Sequence, residues 1–261
     1  MGAGDTASLG QPDNMRLVYR LRSRLSGVPS PPVTSRYQGP TWEYRRARVF
    51  ERLGINLVID VGANSGQYAT EIRAENYGGR IVSFEPASDP FASLSERCEH
   101  DPLWTAQKFA IGSEPGSATL NIAANEGKSS SLLPQKDYEF GTTTAMRYVG
   151  TETVVVTTLA ALAGTLLNGE DRVYLKVDVQ GAELSVLEGA DTFLSSVLAV
   201  ELELALFPLY ENHSDWRAMC DRMAELGFVF FAVDPGYTDW ESGRLVEMDG
   251  MFLREQFAEL R

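Results

Sequence analysis

VIDVGANSGQYATEI, residues 58–72, is the stretch on which the fold turns. A β-branched run, LVID at residues 57–60, reads as a short strand, and Gly62 and Gly66 carry it into an amphipathic segment over residues 65–77. A strand, a glycine-containing turn and a helix in that order open a parallel α/β sheet, and they present backbone N–H groups and a helix N-terminus to a ligand. The spacing Asp60-x-Gly62-x-x-x-Gly66 departs from the Gly-x-Gly-x-x-Gly turn that cradles a pyrophosphate. A carboxylate at Asp60 repels a diphosphate and suits a cationic ligand instead.

Working outward, IVSFEP at residues 81–86 places Glu85 at the end of a second strand, about 25 residues beyond Asp60 and near the ~20 expected of a ribose-binding acid. A carboxylate there accepts hydrogen bonds from ribose hydroxyls. Together the two features indicate a nucleoside ligand, and a sulfonium with an ammonium group, as in S-adenosylmethionine, fits the acidic turn better than NAD does. In AQKFAIGSEPGSATL the backbone around Ala110, Ile111 and Gly112 is expected beside the adenine, on position alone.

Further strands are expected over residues 80–85, 106–111, 117–122, 153–157, 173–179, 198–204, 228–233 and 250–254. Helices are expected over 41–53, 65–77, 90–98, 182–194 and 215–226. This alternation argues for a parallel sheet covered on both faces. Residues 125–150 are polar and weakly patterned, which suggests a functional loop or lid. Upstream, MGAGDTASLGQPDN is too polar to offset the entropy of ordering, and PSPPV at residues 29–33 stops any helix. The division expected is an N-terminal extension over 1–40, partly disordered, and a catalytic domain over 41–261. The arm is a candidate active-site cover or homodimer contact.

Charge narrows the partners. With 23 basic and 36 acidic residues the net charge is −13, which disfavours a nucleic-acid partner. No apolar run is long enough to span a bilayer, and the start lacks the order of a signal peptide, so a cytoplasmic protein is expected. Cys98 and Cys220 lack the spacing of a metal or redox pair.

Four segments resemble one family: VIDVGANSGQYA, IVSFEP, LKVDVQGAELSVLEGA at residues 175–190, and the tail pattern GF followed by MDGMFLRE. They look like the FkbM-type methyltransferases over residues 57–255. The resemblance implies the class I methyltransferase fold, an α/β Rossmann-like, seven-stranded, mostly parallel sheet with helices on both faces. It also implies transfer of a methyl group from S-adenosyl-L-methionine to a hydroxyl, often on a sugar, polyketide or glycolipid. Residue by residue, it implies cofactor roles for Asp60, Gly62, Asn64, Gly66 and Glu85, and a functional place for the triple serine centred on Ser130.

Methyl transfer to an alcohol is an in-line displacement that needs a held oxygen and a base for its proton. Carboxylates at the strand ends are the first candidates. Asp178 follows VYLKV, and Glu201 and Glu203 share one side of VLAVELEL, where burial is costly unless they are paired or bind something. Lys176 lies on the face of Asp178 and is expected either to act there or to neutralise Glu201 or Glu203. His213, just past the acidic strand, is a second base candidate. Glu183 reads as a helix-capping group or a ligand contact. Asp178, Glu203, Asp234 and Asp249 are candidate oxygen ligands for Mg²⁺, without a contiguous motif. Phe207, Tyr210, Trp216, Tyr237 and Trp240 are candidates for an acceptor platform, whereas Phe228, Phe230 and Phe231 read as strand core. The rivals are an NAD-dependent oxidoreductase and a methyltransferase-like binding module without chemistry.

Overall fold

A computed structural model describes residues 40–137, 146–239 and 241–259. The expected N-terminal extension, the middle of the polar stretch and Trp240 lie outside the described residues.

Helix α1 (Trp42–Leu53) starts at Thr41, whose hydroxyl accepts the Tyr44 N–H at 3.3 Å. It ends at Gly54, which takes the left-handed conformation, φ +60°, common at helix C-termini. Strand β1 (Leu57–Val61), α2 (Gln67–Ala74), β2 (Arg80–Phe84), α3 (Ser88–Cys98) and β3 (Trp104–Gln107) follow. After β4 (Ala110–Ile111), β5 (Gly116–Ala123) and β6 (Tyr148–Thr157), the alternation resumes. It continues with α4 (Leu159–Leu166), β7 (Val173–Val177), α5 (Glu183–Glu188), β8 (Val197–Ala205), α6 (Trp216–Glu225) and β9 (Phe228–Pro235). The short strands β10 (Thr238–Asp239) and β11 (Arg244–Leu245) precede the last strand, β12 (Glu247–Arg254).

Seven strands form the main sheet in the order β3-β2-β1-β7-β8-β12-β9. The first five run parallel, and β12 is antiparallel to both of its neighbours. The expectation of a mostly parallel seven-stranded sheet is met. So is the covering of both faces. Val49, Phe50, Ile72 and Leu94 from α1, α2 and α3 pack on one face, while Leu159, Val186, Met219 and Met223 from α4, α5 and α6 pack on the other. Every residue of β1 and β7 is buried, as a strand covered on both sides requires.

The expected strand 106–111 breaks at Lys108 and Phe109 into β3 and β4, which belong to different sheets. The segments at 117–122 and 153–157 become β5 and β6, which with β4 form a separate three-stranded sheet in the order β4-β6-β5. Their composition explains it: GSATLNIA and YVGTETVVVT leave one side exposed, the pattern of antiparallel strands with one wet face. The expected helix 182–194 is shorter. At Gly189 an added Cβ would lie 1.9 Å from the carbonyl oxygen of Gly112, so helix and small sheet touch backbone to backbone, and a 3₁₀ turn (Asp191–Ser196) completes the connection. Phe230, read as core, is 47% exposed on the edge strand β9. Among the described residues no helix is long and apolar enough to cross a membrane.

Candidate cofactor and active site

Register brings four polar side chains into one row across the sheet. Ser83, Asp60, Lys176 and Glu201 are successive partners on β2, β1, β7 and β8, and Met251 of β12 continues the row. The strand ends beyond this row open into a cavity of about 520 Å³, within the size range of small-ligand sites.

Gly62, Asn64 and Glu85 line the cavity, as do Ala110, Ile111 and Ser130. The first N–H groups of the turn are already used within the protein, however. The N–H groups of Gly62 and Ala63 both donate to the Phe84 carbonyl at 3.0 Å, and that of Asn64 donates to Glu85 Oε2 at 2.8 Å. One turn N–H thus helps to fix Glu85, whose Oε1 also accepts the Ala87 N–H at 2.8 Å. Burial raises the Glu85 carboxyl to about 7 despite those two bonds. Each carboxylate oxygen has capacity for a second donor, so a ligand hydroxyl in the cavity relieves this cost.

The glycines serve packing. Gly62 has φ +82°, and a Cβ there would fall 1.8 Å from the Asp178 carbonyl oxygen, so it lets the loops after β1 and β7 approach. Gly66 does not line the cavity. Its φ is +86°, and a Cβ would meet the Trp104 ring at 2.7 Å.

Asp60, the last residue but one of β1, is fully buried and does not line the cavity. Its Oδ2 accepts the Ser83 hydroxyl at 3.0 Å, Oδ1 has no hydrogen bond, and the Lys176 ammonium lies 3.6 Å away. Lys176 also reaches Asp178 at 3.3 Å and the Gly62 carbonyl at 3.4 Å. The pair is unequal. Burial disfavours the Lys176 ammonium, but Asp178, Asp60 and Glu201 outweigh it and hold its pKa above the ordinary value. For Asp60, which shares that ammonium, burial wins and the carboxyl is pushed up. The expected neutralisation of Glu201 by Lys176 is replaced by other donors: Tyr174 and Tyr68 hydroxyls reach Glu201 Oε2 at 2.6 and 3.0 Å, and Arg46 lies 4.0 Å from Oε1. Arg46 and Tyr68 both line the cavity, and neither was singled out in the sequence. Arg46 falls on the buried face of α1 with the apolar residues, and an arginine in that row was the available signal.

Among the catalytic candidates, Asp178 and Lys176 line the cavity, while Glu203 and His213 do not. Glu203 Oε2 accepts the Gln180 amide at 2.7 Å, and burial together with Glu247, Asp178, Glu183 and Asp249 pushes its carboxyl well up. His213, placed by sequence within reach of a substrate hydroxyl, is instead buried, with Nε2 3.5 Å from Glu183 and Nδ1 without a hydrogen bond. Burial lowers it to about 4, so it stays neutral. Glu183 does not cap its helix; its carboxylate turns back to the loop after β7, accepting the N–H groups of Val179 and Gly181 at 3.0 and 3.1 Å, and burial raises it to about 7. Asp249 and Asp234, register partners on β12 and β9, line the cavity, and burial raises Asp234 to about 6. The Mg²⁺ expectation is not supported: among the described residues no three His, Cys, Asp or Glu side chains converge as a metal site. Tyr210 is fully buried with Leu209 and Val246, and Trp216 packs on the main core, so neither forms an acceptor platform.

A sheet in this order, helices on both faces, an antiparallel strand inserted near one edge and a cavity at the parallel strand ends define a class I methyltransferase fold. The chain belongs to the FkbM methyltransferase family, whose domain matches residues 60–230. It is 31% identical over 156 residues to methyltransferase sdnD of Sordaria araneosa, covering 52% of this chain and 60% of that protein. It is 26% identical over 146 residues to methyltransferase 1 of Beauveria bassiana (strain ARSEF 2860), covering 52% and 59%. The chain thus spans about 60% of the length of the curated relatives it matches. Among solved structures, precorrin-6y C5,15-methyltransferase from Geobacter metallireducens GS-15 is 12% identical, with a TM-score of 0.42 over 85% of this chain and 92% of that one.

Proposed function

We propose that this chain transfers a methyl group from S-adenosyl-L-methionine to a hydroxyl of a small acceptor, a sugar, a glycoside or another secondary metabolite. The observation that carries the reading is Glu85: a buried carboxylate at the end of β2, pinned by two backbone N–H groups and facing a cavity of about 520 Å³. The donor set fits a cationic nucleoside. Glu85 would hold ribose hydroxyls, Ala110 and Ile111 supply an apolar wall for an adenine, and Asp178, Glu201 and Asp249 give the remaining lining an acidic character that favours a positive charge over a diphosphate. Bound, S-adenosyl-L-methionine supplies an electrophilic methyl group on a sulfonium.

The protein's part is positioning and proton transfer. Asp178 is the cavity carboxylate we assign as acceptor of the hydroxyl proton, and the Lys176 ammonium lies 3.3 Å from its Oδ2. Gly62 keeps the Asp178 loop against the cofactor turn. Glu203 and His213, behind the cavity wall, take supporting places. The net charge of −13 supports a small, non-polyanionic acceptor.

Calorimetric titration with S-adenosylhomocysteine, with NAD as control, tests the reading. Micromolar binding of S-adenosylhomocysteine alone is the expected result; preference for NAD, or binding of neither, overturns it.

A further inference from the structure

Gln180 follows Asp178 by two residues and holds an unusual place. It is 8% exposed, with φ +56°, a conformation that costs a side chain of this size unless its surroundings fix it. Its surroundings do. The side-chain Nε2 donates to Asp178 Oδ1 at 3.0 Å and to Glu203 Oε2 at 2.7 Å, so both amide hydrogens are used. The Tyr210 hydroxyl donates to Oε1 at 2.8 Å, and the Ser131 hydroxyl donates to the backbone carbonyl at 2.6 Å. A flipped amide would turn its oxygen toward two carboxylates and its nitrogen toward a hydroxyl donor, so the orientation is fixed by its partners.

An amide is the one neutral group that satisfies this position. Asp178 and Glu203 are acidic neighbours at the ends of adjacent strands, and a bridging donor with no charge of its own holds both without neutralising either. Asp178 is thereby held from two sides, by Gln180 on Oδ1 and by Lys176 on Oδ2, while its carboxylate still lines the cavity. We propose that Gln180 is a positioning residue, which fixes the direction of the Asp178 carboxylate through the bridge to Glu203. The proposal rests on the reading of Asp178 as the carboxylate at the point of methyl transfer.

The test needs no acceptor. Sinefungin carries an ammonium where S-adenosylmethionine carries its transferable methyl, so its affinity relative to S-adenosylhomocysteine reports a correctly aimed carboxylate at that point. Calorimetry would measure both ligands on the full chain, on Gln180→Gly, on Asp178→Asn and on the double variant. Glycine tolerates the left-handed backbone and removes only the side chain. Loss of one charge-assisted hydrogen bond is expected to lower the sinefungin preference about tenfold in Asp178→Asn, and a few-fold in Gln180→Gly. Because Gln180 acts through Asp178, adding Gln180→Gly to Asp178→Asn is expected to change the preference less than about twofold. Gln180→Glu, which keeps the Tyr210 bond but puts an acceptor against both carboxylates, should lose at least as much as Gln180→Gly and serves if the glycine variant does not fold. An unchanged preference in both Gln180 variants, or equal loss in the two backgrounds, overturns the proposal. A parent protein that binds neither ligand overturns the cofactor reading itself, a separate and visible failure.

Discussion

Asp60→Ala separates a core carboxylate from a ligand contact, because the sequence and the structure give it different consequences. From the motif alone the residue should contact the cofactor and its loss should weaken binding. In the structure Asp60 is fully buried behind the cavity wall, with Ser83 donating to it and Lys176 at 3.6 Å. The variant leaves the Ser83 hydroxyl without its acceptor and Lys176 with a single ion-pair partner, Asp178. Breaking a buried pair costs about 3–5 kcal/mol, and the low end applies because Asp178 remains. For a domain of this size about 3 kcal/mol corresponds to roughly 6–12 °C in Tm. Differential scanning calorimetry should show that drop, with S-adenosylhomocysteine affinity at 20 °C within about threefold of the parent. A Tm within 2 °C of the parent (about 1 kcal/mol or less), together with affinity reduced tenfold, would refute the placement of Asp60 behind the wall.

Other outcomes follow from the same geometry. Glu85→Gln keeps the side-chain size but places an amide nitrogen against one of two backbone donors, and S-adenosylhomocysteine affinity should fall about tenfold, the worth of a charge-assisted bond. Gly62→Ala meets the Asp178 carbonyl at 1.8 Å in a left-handed conformation, so soluble yield or Tm should collapse, whereas Gly243→Ala, left-handed but with open space around it, should cost little more than its backbone strain. Once an acceptor is found, Asp178→Asn should lower kcat at least a hundredfold with cofactor affinity nearly intact, while His213→Gln should not. Stability should depend on pH in a defined sense. Glu85 and Glu183 are raised to about 7 and Glu247 to about 8 by burial, so the stability of their protonated forms is full below about 4.5 and lost as pH rises through 7 to 8. His213, depressed to about 4, adds stability above about 6.5 that is lost as pH falls toward 4. Thermal melts should therefore peak on the acid side of neutrality, and a maximum at pH 8 or above would contradict these burials.

The motif around Gly62 and Gly66 was legible because a strand, a tight turn and a helix leave a compact local signature, and the sheet followed from alternation. Glu85 was legible from spacing. What the sequence concealed was direction. Asp60 and Glu85 both end or nearly end a strand, but Asp60 sits inside β1 and faces Ser83 and Lys176, while Glu85 lies one residue beyond β2 and turns into the cavity. Asp60 stands opposite Ser83 and Glu85 lies two positions further along, and that two-residue difference decides which carboxylate meets a ligand. His213 looked reactive because its loop is near the strand ends, but proximity in sequence does not reveal that Tyr210 and Glu183 enclose it. Gln180 gave no local signal, since its importance lies in partners up to about 50 residues away in the chain. The departure of β5 and β6 into a second sheet was partly visible in their half-polar pattern.

Strand β12 comes after β9 in the chain yet lies between β8 and β9 in the sheet. During synthesis, β9 therefore emerges with no sheet neighbour to pair with, and β8 presents an open edge carrying Glu201 and Glu203. Both wait for residues 247–254 to leave the ribosome. Asp249 arrives on that same strand. The nascent domain can assemble its nucleoside end early, but its acidic wall is finished last, so a ribosome stalled just short of residue 247 would display a half-built site with an exposed edge for chaperones to shield.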